Sequence, residues 1–223
     1  LPATTNAPVN CYPMIQISGS SVREPIDLEQ GTYEGLDQLN VAKGLVKAAY
    51  RVNKPEDIPT AVVRAYRAAI SGRPGGVYLD VTTPCLGAIM DKADADKLFY
   101  QPVDLCPAMP PAAEAVARAA DMLAAAKKPA IIIGKGAAYA RVESQLKQLV
   151  DTTGIPYYPM SMAKGVLPDT GALSALSCRS TIMEEADVVI LAGARLNWLL
   201  SRGHGKWSPD TKFIQLDIDP TEI

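Results

Sequence analysis

What most constrains the fold of this chain is a repeated unit. A short apolar run is followed by a glycine-bearing turn, and the turn opens into a helical pattern. Residues 129–140, PAIIIGKGAAYA, show it most clearly. Residues 130–133 are apolar without a helical period and read as a buried strand. Gly134 and Gly136 bracket Lys135, and an Ala-rich helix start follows. Further apolar runs at 11–18, 47–52, 77–81, 155–158, 187–191 and 212–218 read as strands of the same kind. Strands that alternate with helices fold as right-handed βαβ units around a mainly parallel sheet, so the expected class is α/β.

The helices between these strands carry their own signals. Pro55-Glu56-Asp57 puts a proline and two acids at a helix start, where the dipole favours them. Ile58, Val62, Ala65, Ala69 and Ile70 supply the apolar stripe, and Gly72-Arg73-Pro74-Gly75-Gly76 stops it. Residues 112–126 predict an Ala-rich helix, and Val142, Leu146, Leu149 and Val150 predict another that ends at Gly154. Residues 172–185 are expected to be helical. Residues 22–40 are polar without a clean period and read as a loop. Residues 91–111 carry DKADAD and then Pro102, Pro107, Pro110 and Pro111, the composition of an extended linker. The expected organisation is one domain over 1–90, a linker over 91–111 and a second domain over 112–223.

Ligands on parallel sheets gather at the carboxyl ends of strands. Those ends are Gly134-Lys135-Gly136, Gly193-Ala194-Arg195 and Asp217-Ile218. Lys135 and Arg195 can neutralise phosphates, Asp217 can accept from ribose hydroxyls, and Ile218 can flank an adenine. A strand–glycine–helix turn also offers backbone N–H groups to a phosphate, although a plain tight turn would need the same glycines. Asp217 lies much farther than about 20 residues past the glycines, which disfavours a standard dinucleotide pose. Asp217 and Asp219 share a face as a metal pair would, but no third ligand is near, and ribose contact is the preferred reading. Trp198 and Trp207 are expected to pack, and His204 to be solvated.

Composition narrows the partners. A net charge of −2 with 22 basic and 24 acidic residues argues against nucleic acid or an anionic membrane surface. No apolar run approaches the roughly 20 residues that span a bilayer. Cys11, Cys85, Cys106 and Cys178 are scattered without a CxxC pair, as in a reducing, cytoplasmic compartment. Leu1 is not an initiator Met, and Pro220-Thr221-Glu222 read as a helix beginning. The expectation is an internal piece of a longer protein.

Several segments together resemble a family. They are Cys11-Tyr12-Pro13 with Ile17-Ser18-Gly19-Ser20-Ser21, Ser71-Gly72-Arg73-Pro74-Gly75, Gly134-Lys135-Gly136-Ala137, Met162-Ala163-Lys164-Gly165 and Gly193-Ala194-Arg195-Leu196-Asn197-Trp198. They are similar to the thiamine diphosphate enzymes that act on acyl-CoA, over essentially the whole chain. Tyr33-Glu34 resembles the oxalyl-CoA decarboxylases, where much of the superfamily has Phe-Gln-Glu.

The resemblance implies parts of two domains. Residues 1–90 would be the back of the pyrimidine-binding domain, and 112–223 most of a Rossmann-like nucleotide domain with helices on both faces of its sheet. It implies thiamine diphosphate with Mg²⁺, whose ligands would lie outside this chain. It also implies ADP as an activator at Arg73, Lys135, Arg195, Asp217 and Ile218. Oxalyl-CoA would be the substrate, with Tyr33 and Glu34 catalytic and with Tyr33 and Arg179 in contact with it. The enzyme would be a homotetramer built as a dimer of dimers. A 2-hydroxyacyl-CoA lyase and a non-catalytic adenine-nucleotide module are the alternative readings.

Overall fold

The structure is a computed structural model that describes residues 2–31, 35–99, 101–102 and 104–222. In chain order the first half runs α1 (Pro2–Asn10), β1 (Met14–Ser20), α2 (Arg23–Asp27), α3 (Gln38–Lys43), β2 (Ala48–Val52), α4 (Ile58–Ile70), β3 (Gly76–Thr82), α5 (Thr83–Leu86) and α6 (Lys92–Leu98). The second half runs α7 (Ala113–Ala124), β4 (Pro129–Ile133), α8 (Lys135–Ala140), α9 (Glu143–Thr153), β5 (Tyr157–Pro159), α10 (Arg179–Glu185), β6 (Val188–Ala192) and β7 (Lys212–Leu216). The chain divides into two compact units, 1–108 and 109–223.

The first unit is a parallel sheet in the order β1-β3-β2. β3 is central, and every residue from Gly76 to Thr82 is buried. Its odd positions Val77, Leu79 and Val81 meet Ala65, Ala69, Ile58 and Ala61 of α4. Its even face is more polar and carries Asp80 and Thr82. α1 seats against the start of β3 so closely that a Cβ on Gly76 would lie 2.8 Å from the Thr4 carbonyl oxygen.

The second unit is a parallel sheet in the order β5-β4-β6-β7. The two-residue period sorts its side chains cleanly. Ile131, Ile133, Val188, Ile190 and Ile214 pack with Leu146 and Val150 of α9 and with Ala119, Met122 and Leu123 of α7. Ala130, Ile132, Val189 and Leu191 pack on the other face with Ile182 and Met183 of α10 and with Leu200 and Trp207. Burying each such aliphatic side chain contributes about 1.5–3 kcal/mol, so both faces of the sheet are core. This is the α/β class expected from the alternation.

Several local expectations change. Val62 of α4 is 40% exposed, because the buried line of that helix runs through Ala65 and Ala69 instead. The helix expected over 172–185 forms only as α10. Tyr157 N–H donates to the Leu173 carbonyl (3.0 Å) and Ala175 N–H to the Tyr157 carbonyl (2.8 Å), which holds 173–175 extended beside β5. The loop read over 22–40 contains α2 and the start of α3. The span read as a linker contains α6, and its Cys106 thiol reaches the Ile70 carbonyl of α4 at 3.7 Å. Trp207 packs as expected, edge-on to Phe213 with centroids 5.0 Å apart. Trp198 does not pack and is 74% exposed.

Candidate functional site

The topology of the second unit defines an edge. From β4 the chain moves outward to β5, then returns past β4 to β6 and continues to β7. The direction of winding therefore reverses between β4 and β6, where parallel α/β sheets open a crevice at their carboxyl ends. Ile133, Ala192 and Leu216 form one paired row across β4, β6 and β7. Lys135, Arg195 and Asp217 follow that row by two, three and one residues. With strands about 4.8 Å apart, the three positions come to one edge, although they are far apart in sequence.

Backbone packing at this edge is tight. The strand ladder runs one residue further, with Gly134 N–H on the Ala192 carbonyl (2.9 Å) and Gly193 N–H on the Leu216 carbonyl (2.8 Å). A Cβ on Gly134 would lie 2.2 Å from the Gly193 carbonyl oxygen, and one on Gly193 would lie 2.4 Å from Ala137 N. Gly193 also holds φ +58°, a conformation that favours glycine. Here the reading of free backbone donors needs correction. Gly136 N–H donates to the Gly193 carbonyl at 3.0 Å, and α8 is a short helix of six residues. The glycines let two turns touch, so Gly134 and Gly136 N–H are spent on the protein itself.

Those side chains are ordered by their neighbours. The Arg195 guanidinium lies 3.7 Å from the Glu222 carboxylate. Gln215 donates its side-chain amide to the Ala194 carbonyl at 2.8 Å and approaches Asp217 at 3.5 Å. Asp217 also accepts from Asp219 N–H at 3.0 Å. Ile218 is 55% exposed beside it. Two cations, a carboxylate and an exposed aliphatic side chain on one edge suit the phosphates, ribose and base of an adenine nucleotide. Glu222 and Gln215 were not legible as part of this set, because their roles depend on strand register.

The other predicted residues do not belong to this row. Arg73 belongs to the first unit, in the turn after α4, and donates Nε–H to Cys11 Sγ at 3.2 Å. Arg179 opens α10 beside Cys178, which lines a cleft of about 490 Å³ at the amino ends of β4 and β5. Arg179 is thus not among the residues following the carboxyl row. Tyr33 and Glu34 fall outside the described residues. Among the described residues, no three His, Cys, Asp or Glu side chains group as a metal site, and no helix is long and apolar enough to cross a membrane.

The carboxyl edge of the first sheet holds a polar cluster that the sequence reading missed. Asp80 of β3 is completely buried. It accepts from Arg51 Nε of β2 at 2.5 Å and from Gln38 Nε2 of α3 at 3.0 Å. Arg51 also donates to Asp37 at 3.0 Å, and Asp37 caps α3 through Asn40 N–H. Burial alone would raise the Asp37 carboxyl, but the Arg51 hydrogen bond, the Asn40 N–H and the nearby Arg51 and Arg23 charges outweigh it and hold the group below its ordinary range. Burial likewise opposes the charge on Arg51, and its bonds to Asp80 and Asp37 overcome that and raise its pKa. One signal could have revealed the cluster. An acid inside the buried run VYLDV must find a partner, since an isolated buried charge is too costly.

Residues 116–223 match the family described as the thiamine pyrophosphate enzyme, central domain. The whole chain is 52% identical over 223 residues to oxalyl-CoA decarboxylase of Escherichia coli K12, covering 40% of that protein. The chain is thus similar to thiamine pyrophosphate enzymes. It is 41% identical over 228 residues to the 2-hydroxyacyl-CoA lyase of Arabidopsis thaliana, again along its whole length and over 39% of that relative. Human 2-hydroxyacyl-CoA lyase 1 is 36% identical over 220 residues. The chain thus spans about two fifths of the length of the curated relatives it matches. The same fold occurs in an X-ray structure from Mycobacterium smegmatis described as a thiamin diphosphate-dependent enzyme. That structure has a TM-score of 0.75 and 21% identity, and the match covers 99% of this chain and 43% of the other.

Proposed function

We propose that the full-length protein carrying this chain decarboxylates oxalyl-CoA to formyl-CoA and carbon dioxide. The observation behind this is the 52% identity, over the whole chain, to a decarboxylase of that substrate, against 41% to a lyase over the same span. Thiamine diphosphate, held with Mg²⁺ by residues outside this chain, supplies the electron sink for the pair left when carbon dioxide departs. Tyr33 donates a hydrogen bond to the reacting group. Glu34 orders the water that delivers the proton, and its negative charge discourages a second anionic acceptor. Arg179 reaches the CoA portion. The protein works as a homo-oligomer in a reducing, cytoplasmic compartment.

At the carboxyl edge of the second sheet, ADP binds as an activator. Lys135 and Arg195 carry charge complementary to its phosphates, Asp217 accepts from the ribose and Ile218 lies against the base. The close fit of Gly134, Gly136 and Gly193 supports recognition by these side chains.

The test is an assay of the full-length protein on oxalyl-CoA and on a 2-hydroxyacyl-CoA, with and without thiamine diphosphate. Cofactor-dependent release of formyl-CoA from oxalyl-CoA is expected. Turnover of the 2-hydroxyacyl-CoA alone would reassign the chain to the lyases. In calorimetry, wild-type protein is expected to bind ADP, with Arg195→Ala weakening it about tenfold, the effect of losing a charge-assisted contact.

A further inference from the structure

Residues 24–36 connect β1 to α3 and contain Tyr33 and Glu34, the residues to which the proposed function assigns catalysis. Its far end is tied to the sheet, and its beginning to that far end, by side chains with no assigned role. At its beginning, Arg23 opens α2. At its end, Gln38 Nε2 donates both to the Gly19 carbonyl of β1 (2.6 Å) and to buried Asp80 of β3 (3.0 Å). Asp37 joins the two ends. It takes Arg51 at 3.0 Å from the sheet side and lies 3.6 Å from the Arg23 guanidinium on the departing side.

We infer that Arg23, Asp37, Gln38, Arg51 and Asp80 form a base clamp that positions the 24–36 connection for the reaction. Three features separate a clamp from an ordinary surface ion pair. Its anchor, Asp80, is completely buried, and Arg51 is 88% buried by the 12% exposure of its side chain, so the pair is not screened as surface charges are. Arg51 is bidentate in function, one nitrogen on Asp80 and another on Asp37, so the sheet and the returning chain share one rigid guanidinium. The tie also joins the two ends of the connection, Arg23 at its start and Asp37 at its return, to the sheet through Arg51. Catalytic groups on loops need such support, since displacement by about 1 Å can cost about a hundredfold in rate. These residues touch no reacting atom in this reading and act as positioning residues.

The inference rests on the proposed decarboxylation, and two measurements keep the two apart. In the full-length protein, Asp37→Asn keeps an oxygen to cap α3 but loses the charge shared by Arg23 and Arg51. Gln38→Ala removes the tie to Gly19 and Asp80 and leaves the cap. Amide hydrogen exchange is expected to rise in 24–36 in both variants and to stay unchanged in the second unit. With oxalyl-CoA, kcat is expected to fall about tenfold while KM stays within about twofold, a split that general loss of structure does not produce. Unchanged exchange in 24–36 overturns the clamp. Faster exchange with unchanged kcat overturns its positioning role. If wild-type protein does not turn over oxalyl-CoA, the functional reading fails, and the exchange measurement still decides whether the clamp exists.

Discussion

Replacing Gly193 with alanine separates the two demands made at the β4/β6 edge. The residue holds φ +58°, where an L side chain costs about 1–2 kcal/mol. Its added Cβ would also sit 2.4 Å from Ala137 N and 2.6 Å from Gly136 Cα, so the turn must move by about 1 Å to reach ordinary contact. Overpacking of this kind costs about 1–3 kcal/mol, which gives about 2–5 kcal/mol in all for Gly193→Ala. Two controls isolate the parts. Gly154 has φ +69° with nothing within 4 Å of its built Cβ, so Gly154→Ala carries only the conformational cost. Gly134 has φ −109°, open to any residue, yet its Cβ would lie 2.2 Å from the Gly193 carbonyl oxygen, so Gly134→Ala carries only the steric cost. The readout is urea unfolding followed by tryptophan fluorescence. Trp198 and Trp207 are the two tryptophans of the sequence and both fall in the second unit, so the signal reports that unit alone. Gly193→Ala should be the most destabilising of the three. If it costs no more than Gly154→Ala, the backbone contact between the two turns does not exist as described.

Other outcomes follow from the same structure. Arg51→Met should destabilise the first unit by about 3–5 kcal/mol, since it removes the cationic partner of a completely buried Asp80; a loss below 1 kcal/mol in denaturant unfolding would contradict the buried pair. Asp187 accepts from Lys127 N–H (2.6 Å) and Lys128 N–H (2.9 Å), and the Lys127 bond is the first cause of its lowered pKa. Because the folded value lies below the unfolded 3.8, its stabilisation is complete above 3.8 and is lost as pH falls through the folded value. Asp187→Asn should therefore flatten the acid limb of the second unit's stability curve, and an unchanged limb would discount those bonds.

The candidate sites show what local sequence can and cannot reveal. Lys135, Arg195 and Asp217 were legible because each directly follows an apolar run, and strand ends are where such folds place ligands. Their partners Glu222 and Gln215 were not, since only register and the turn after β7 bring them there. α1 carries Pro8 and no apolar period, and it forms against β3, where Thr4 and Ala7 are buried. The helix pattern over 172–178 gave way to pairing with Tyr157, because a backbone edge at β5 offered hydrogen bonds that a lone helix turn could not match.

The amino-acid sequence by itself determined that this chain alternates strand and helix, where along the chain the strands lie, and which charged residues stand near their ends, because periodicity and glycine turns are local properties. Tertiary structure alone decided strand order, and with it the reversal between β4 and β6. It also decided that the glycines serve contact between turns, and that Asp80 finds Arg51. Such pairings join residues distant in the chain, and their energies exist only once the sheets have assembled.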